Sequence, residues 1–210
     1  KYDINRKDLS VYNPYNIIKA KEQIYKRDVY TQYLDVPEDV KQIIVDILGD
    51  VKCTTIEQKE AYINKVRDYL KENYEYTTSP GKVPLGKDFI TYFLTDSKKG
   101  YCTYFASAGV MMLRSAGIPA RYVEGYALTA EQIAKGVVGN GQIERFVDET
   151  NQDIFEYSTR TLPVTDRAAH AWVEAYIDGF GWVTVEVTPG SATFGVSSLN
   201  LSQAIVQKNE

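Results

Sequence analysis

Helical patterning fills the first half of the chain and strand patterning most of the second, an order that predicts an α+β protein. Three observations carry the prediction. Apolar residues recur at helical spacing over residues 40–48 and 62–70, and again over 105–116. Residues 121–128 are rich in β-formers. Two further strand-like runs, 173–177 and 181–188, flank Asp178 to Gly181 as a β-hairpin. With 210 residues, 44% of them apolar, the chain can bury a substantial core.

Residues 1–34 are polar and tyrosine-rich, with Asn13–Pro14 as a turn and a weak helical run from Ile17 to Tyr33. They are expected to form an N-terminal arm that packs on the main body. The 17 tyrosines of the chain are read as core and surface filling. Residues 35–95 read as a helical lobe. Pro37 at the first helical position, with Glu38 and Asp39 in the first turn, opens a helix. Val40, Ile43, Ile44, Ile47 and Leu48 mark its apolar face, and Gly49 ends it. Thr54 with Glu57, or Thr55 with Gln58, offers a capping box to a second helix. That helix carries Tyr62, Ile63, Val66, Tyr69 and Leu70 on one side. Residues 77–88 are a loop by composition, and Asp88 to Leu94 reads as a short helical segment leading to Lys98, Lys99 and Gly100.

Gly100 is expected to permit a sharp turn before Cys102, which stands next to a helix start. Over Thr103 to Ser115 the apolar face is Phe105, Ala108 and Met112, with Ala116 behind. Gly117 stops the helix and Pro119 prevents its return. A thiol at a helix N-terminus is a candidate nucleophile, because the first-turn N–H groups and the helix dipole favour the thiolate. Lys98 and Lys99 either raise the potential there or belong to a solvated loop. The chain has one histidine, His170, so an imidazole base for Cys102 can only be that residue.

Residues 129–160 read as an insert. Thr129 begins a short helix, Gly136, Gly139, Asn140 and Gly141 make a flexible tip, and 142–147 and 153–159 are strands around 148–152. The insert is either a lid or groove wall, or a surface hairpin. In the later hairpin, alternation puts His170, Trp172, Glu174 and Tyr176 on one face, and Trp182, Thr184, Glu186 and Thr188 on one face of the next strand. His170 can lie beside Glu186 only if even positions pair with even positions. A carboxylate there would fix the imidazole tautomer. Each residue also has an ordinary structural reading: a packed thiol, a hydrogen-bonded histidine, a cross-strand tryptophan pair, and solvent-facing Glu174 and Glu186. Cys53, ahead of a helix, either pairs with Cys102 as a disulfide or is a thiol with no chemistry; the setting of Cys102 favours the thiol.

The bulk composition excludes several functions. A net charge of −4 and a pI near 5.2 leave no basic field for nucleic acid. One histidine and two distant cysteines make no metal cluster. No apolar run approaches a membrane span, and residues 1–6 do not open a signal peptide.

Three segments together resemble the transglutaminase-like domain of the papain-type cysteine enzyme superfamily. They are residues 99–126 around Cys102, 166–176 around His170 and 181–189 around Glu186, which cover 99–189 apart from the insert. Tyr33 to Pro37 and Tyr76 to Leu94 resemble its bacterial membrane-anchored branch. The resemblance implies an α+β fold whose core, 96–210, packs the Cys102 helix on an antiparallel β-sheet carrying His170 and Glu186. It implies Cys102 as nucleophile, His170 as general base and acid, and Glu186 in the place where most relatives have Asp. The Cys102 backbone N–H would be one oxyanion donor, with an aromatic near Tyr92 or Tyr101 completing the hole. Tyr101 and Trp172 are expected in the substrate groove. The implied activity is thiol-dependent acyl transfer on peptide or Gln amide bonds, with hydrolysis favoured over cross-linking. It would need no cofactor or metal, and would act on a peptide or protein outside the cytoplasm, with membrane helices beyond this sequence. The alternative is a scaffold of the same fold that binds a peptide or partner without catalysis.

Overall fold

The computed structural model describes residues 14–134, 137–147 and 153–191. Its elements in order are α1 (Pro14–Gln32), α2 (Glu38–Leu48), α3 (Ile56–Asn73), β1 (Glu75–Tyr76) and α4 (Phe89–Tyr92), which continues as a π-helical turn, Phe93–Ser97. Then follow β2 (Lys99–Gly100), α5 (Cys102–Ser115), β3 (Ala120–Tyr126), α6 (Ala130–Ala134), β4 (Val137–Val147) and β5 (Asp153–Thr161). A 3₁₀ turn, Asp166–Ala168, leads into β6 (Ala169–Ile177) and β7 (Gly181–Val185). β1 and β2 pair in parallel, β4 and β5 antiparallel, and a three-stranded sheet has the order β3-β6-β7. The α+β expectation holds, with mixed strand directions.

The chain divides into two compact units: Lys1–Val123 with Ala171–Glu210, and Glu124–His170. In the first, the core gathers the apolar faces that the periodicity assigns. Val40, Ile44 and Leu48 of α2 meet Tyr62, Ile63, Val66 and Leu70 of α3, and Phe105, Ala108 and Met112 of α5. Ala171, Val173, Ala175 and Ile177 of β6 close the core with Val185 and Val187. Only odd positions of β6 are needed for that, as expected for a strand with one face on the core. α5 reaches β6 through Gly109, where an added Cβ would lie 3.0 Å from Val173 Cγ2.

The helix ends follow local chemistry. The capping box of α3 is Thr55 with Gln58, whose backbone N–H donates to Thr55 Oγ1 at 3.3 Å. Pro37 stands one place outside α2, as its cap, rather than at the first helical position. α5 ends in a Schellman motif: Gly117 has φ 79°, the Ile118 N–H donates to the Leu113 carbonyl at 3.1 Å and the Gly117 N–H to Arg114 at 2.9 Å. At its start the structure corrects the reading of Gly100. The turn is made by Lys98, with φ 50°, while Gly100 is a strand residue. Glycine is required at 100 because a Cβ would sit 2.5 Å from Tyr104 Cβ and Cγ.

The described part of the N-terminal segment packs on the body as expected, and tyrosines do the packing. Tyr25 and Tyr30 meet Tyr176 edge-on at 6.1 and 6.3 Å, and Tyr33 meets Trp182 at 5.0 Å. Beneath them lies a buried charge. Lys59, 2% exposed on α3, donates to Tyr30 Oη at 2.7 Å and to Asp178 Oδ2 at 3.1 Å. Lys26 of α1 pairs with the other oxygen of Asp178 at 3.0 Å. Burial and Asp178 push the Tyr30 phenol up to about 12. Burial also acts to raise the Asp178 carboxyl, but the hydrogen bonds from Lys26, Lys59 and Tyr30 outweigh it and hold it below the usual range.

In the second unit, β4 and β5 pair from Val137↔Thr161 to Val147↔Asp153. The expected tip at 136–141 is not a turn where it is described. β4 runs through Gly139, Asn140 and Gly141, and the register shift between Val138 and Ile143 absorbs them as an irregularity in the strand. The expected turn at 148–152 and Gly136 lie outside the described residues.

Two stability predictions follow from this packing. Gly109→Val inserts methyl groups into the α5–β6 contact and should cost about 1–3 kcal/mol, read as a lower urea midpoint with an unchanged slope. Asp178→Asn removes the counter-charge of buried Lys59 and should cost about 3 kcal/mol at pH 7. Because the Asp178 carboxyl is depressed in the folded state, its contribution is present above the unfolded value of ~3.9 and is lost as pH falls through the lower folded value. The gap between wild type and variant should therefore close below about pH 4 in urea titrations.

Candidate active site

Cys102 is the first residue of the 14-residue helix α5, and no side chain caps that start. Tyr101 precedes it in an extended conformation, φ −110° and ψ −177°. The helix therefore points its first-turn N–H groups at the segment carrying the thiol, which is partly exposed. Both cysteines are thiols, so the disulfide alternative falls. Cys53 contrasts with Cys102 in setting. It is 6% exposed, and burial pushes its thiol above the ordinary value, which disfavours the reactive form.

An aromatic rim surrounds the start of α5. Tyr101 packs edge-on against Tyr104 at 4.9 Å, and Tyr104 packs on Phe89 at 4.4 Å. Tyr76 of β1 stacks on Phe105 at 6.5 Å with 29° between the rings. The phenol of Tyr76 is shifted upward, first by burial and then by the negative charge of Cys102. Tyr76 was not among the residues the sequence singles out, since a two-residue strand has no period to read. Tyr92 lies under Lys87, whose Nζ is 5.4 Å from the ring centroid. Lys99 pairs with Glu75 at 2.8 Å.

On the sheet, Glu174 faces Thr184 and Tyr176 faces Trp182, so even positions do pair with even positions. One further step in that register is Trp172 with Glu186. The tryptophans are not a cross-strand pair. Trp182 instead packs on Tyr176 at 5.5 Å, takes the Arg121 guanidinium 4.2 Å above its ring and donates from Nε1 to Tyr25 Oη at 2.7 Å. Neither glutamate is a solvent-facing charge. Glu174 accepts from Arg121 Nε at 2.8 Å. Glu186 is 8% exposed, and its Oε1 accepts from the Thr188 N–H at 2.8 Å. His170 is the second residue of β6, partly exposed, and Trp172 is half-buried on the same strand. Cys102, Tyr101, Trp172 and Glu186 belong to the first unit and His170 to the second. Among the described residues, no group of three or more His, Cys, Asp or Glu side chains is placed to hold a metal ion.

The model of the transglutaminase-like superfamily matches residues 50–187, and the chain belongs to that superfamily. It is 34% identical over 175 residues to the Bacillus subtilis (strain 168) protein YebA, covering 82% of this chain and 20% of that protein. It is 32% identical over 117 residues to a protein-glutamine gamma-glutamyltransferase of Pseudomonas aeruginosa, covering 56% of this chain and 14% of that one. Among solved structures, the periplasmic domain of TgpA from Pseudomonas aeruginosa shares the fold with a TM-score of 0.51 at 24% identity, covering 76% of this chain and 46% of that domain. The chain thus spans a fifth or less of the curated relatives' length, and under half of the solved domain.

The Glu186 carboxylate has a backbone duty that can be separated from its charge. Glu186→Ala leaves the buried Thr188 N–H without this acceptor and should cost about 1–3 kcal/mol, whereas Glu186→Gln retains an acceptor oxygen and should lie within about 1 kcal/mol of wild type. Urea unfolding of the two variants checks the difference.

Proposed function

We propose that this domain is a thiol-dependent acyltransferase acting on peptide or glutamine amide bonds outside the cytoplasm. Cys102 is the nucleophile, His170 the general base and acid, and Glu186 the carboxylate that orients the imidazole. The observation that carries this reading is the contrast between the two thiols: Cys102 is partly exposed at the uncapped start of α5, and Cys53 is sealed in the core. Membership of the superfamily supports the chemistry, and the glutamyltransferase relative supports a glutamine side chain as one acyl donor. The periplasmic origin of the TgpA domain supports placement outside the cytoplasm.

In the reaction, the Cys102 sulfur attacks the amide carbonyl carbon while His170 holds the thiol proton. The C–N bond then breaks, the proton passes to the leaving amine, and a thioester remains. Water or an amine, deprotonated by His170, attacks the thioester and releases the thiolate. We favour hydrolysis as the outcome. Adding a primary amine and assaying for its incorporation separates cross-linking from hydrolysis.

A second reading is a peptide-binding scaffold without turnover. It is favoured by the Glu186 bond to Thr188, a structural role in itself, and by the exposed tyrosines 76 and 101 beside the helix start. The two readings part in the pH dependence of Cys102 alkylation. Under the catalytic reading the thiolate titrates well below the free-cysteine value of ~8.5 and moves back toward it in His170→Ala. Titration near the free value in both proteins would overturn the catalytic reading and leave the scaffold as the leading one. Cys102→Ala should abolish release of amine from a glutamine peptide, with folding unchanged.

A further inference from the structure

We propose that Leu85, at the tip of the loop 77–88, reads an apolar side chain beside the reacting amide of the acyl-donor peptide. The inference rests on the acyl-transfer reading and deepens it, since it names the kind of peptide the site prefers.

The loop stands with both feet at the start of α5. Its first foot follows β1, where Tyr76 pairs with Gly100 and stacks on Phe105, and where the Thr77 N–H donates to the Gly100 carbonyl at 2.8 Å. Its second foot is Asp88, whose Oδ1 accepts from the Thr91 N–H at 2.8 Å and caps α4. The next residue, Phe89, packs on Tyr104 at 4.4 Å. Tyr104 and Phe105 are the third and fourth residues of the helix that Cys102 begins. The chain between the two feet therefore rises beside the helix end that carries the thiol.

The tip is a fixed turn. The Lys87 N–H donates to the Pro84 carbonyl at 3.1 Å, and Leu85 and Gly86 are the corners between them. Gly86 has φ 81°, the left-handed value that the third position of a type II turn requires. Lys87 Nζ pairs with Asp96 at 2.8 Å and ties the turn to the π-helical segment. Leu85 is left fully exposed at the corner. A lone leucine on a surface needs no explanation. This one is presented on a pre-shaped turn above a nucleophile, so a side chain that covers it gains apolar burial with little further ordering of the loop.

A peptide suits this tip better than a lipid surface does. One leucine offers little apolar area for a bilayer, where even a whole myristoyl chain binds only marginally. Of the flanking lysines, Lys87 is already paired with Asp96. A peptide substrate must approach the start of α5 in any case, where the exposed residues Tyr76 and Tyr101 offer further apolar surface.

Two probes that differ only beside the glutamine test this: acetyl-Gly-Leu-Gln-Leu-Gly-amide and acetyl-Gly-Ser-Gln-Ser-Gly-amide. Deamidation and cleavage of each are followed by mass, and kcat/KM is compared in the wild-type chain, Leu85→Ser and Leu85→Met. Acylation of Cys102 by p-nitrophenyl acetate is the control, because that ester has no peptide chain to lay on the loop. The wild-type chain should prefer the leucine peptide by about 10-fold, the low end of what one apolar contact contributes to discrimination, since the tip is open to water. Leu85→Ser should bring the preference to within about twofold, and Leu85→Met should keep it. The ester should acylate all three proteins alike. Equal kcat/KM for the two peptides in the wild-type chain, or a preference that survives in Leu85→Ser, overturns this inference alone. So does a loss of ester acylation in Leu85→Ser, because Leu85 would then act on the thiol. Phosphatidylglycerol vesicles that bind the wild-type chain but not Leu85→Ser, with the peptide preference intact, would assign the leucine to a lipid surface instead. A wild-type chain that turns over neither peptide overturns the acyl-transfer reading, and this inference with it.

Discussion

A Cβ on Gly109 would stand 3.0 Å from Val173 Cγ2 and 3.4 Å from both methyl groups of Val187, so α5 lies against the sheet with no side chain of its own between. That closeness fixes where the helix axis can run. Cys102 is seven residues nearer the N-terminus, about 10 Å along the axis at the usual rise, and its position follows from the axis. Val173 belongs to β6 and Val187 follows Glu186 directly. The contact that seats the helix therefore also seats the chain carrying the candidate acid. On its other sides α5 meets the buried faces of α2 and α3.

Each end of α5 repeats the pattern of a glycine standing where a side chain would collide or strain. Gly100 lets the backbone pass over Tyr104, and Gly117 takes the left-handed turn that closes the helix. Farther away, the turn at Asp178 is tied to α1 and α3 by a charge cluster as well as by the tyrosine contacts of α1. Such a cluster contributes less stability than an apolar plug of the same size, because Lys59 must give up its water. Lys26 and Tyr30 of α1 both meet the Asp178 carboxylate, at 3.0 and 2.9 Å, so the cluster ties one face of the helix to the turn.

The parts legible in the sequence were those written at short range with a period. The apolar faces of α2, α3 and α5 and the alternation of β6 all come from spacings of two to four residues. Readings failed where one residue type serves two physical needs. Glycine at 100 fits a turn or a close approach, and only the position of Tyr104 decides between them. Gly139, Asn140 and Gly141 carry a turn signal, yet the pairing of Val138 and Ile143 with β5 on either side leaves them as an irregularity within β4. Lys59 sits on a helix among exposed charges, and its burial is set by residues 29 and 119 positions away. Tyr76 has no local signature, because its place is set by pairing with Gly100 and stacking on Phe105.

Under the proposed reading, a glutamate at 186 as the orienting acid poses a question of rigidity. A glutamate has one more rotatable bond than an aspartate, and a carboxylate that wanders orients an imidazole poorly. The Thr188 N–H addresses this directly, since it holds one oxygen at 2.8 Å in a place 8% exposed to solvent. The longer side chain is thus tied to the backbone two residues on. Such an arrangement suits an acid that must hold a neighbouring ring in one tautomer. It equally suits a residue whose whole task is to satisfy a buried amide. The amide needs only an oxygen atom, whereas an imidazolium needs the charge, so the two roles separate on charge and not on shape.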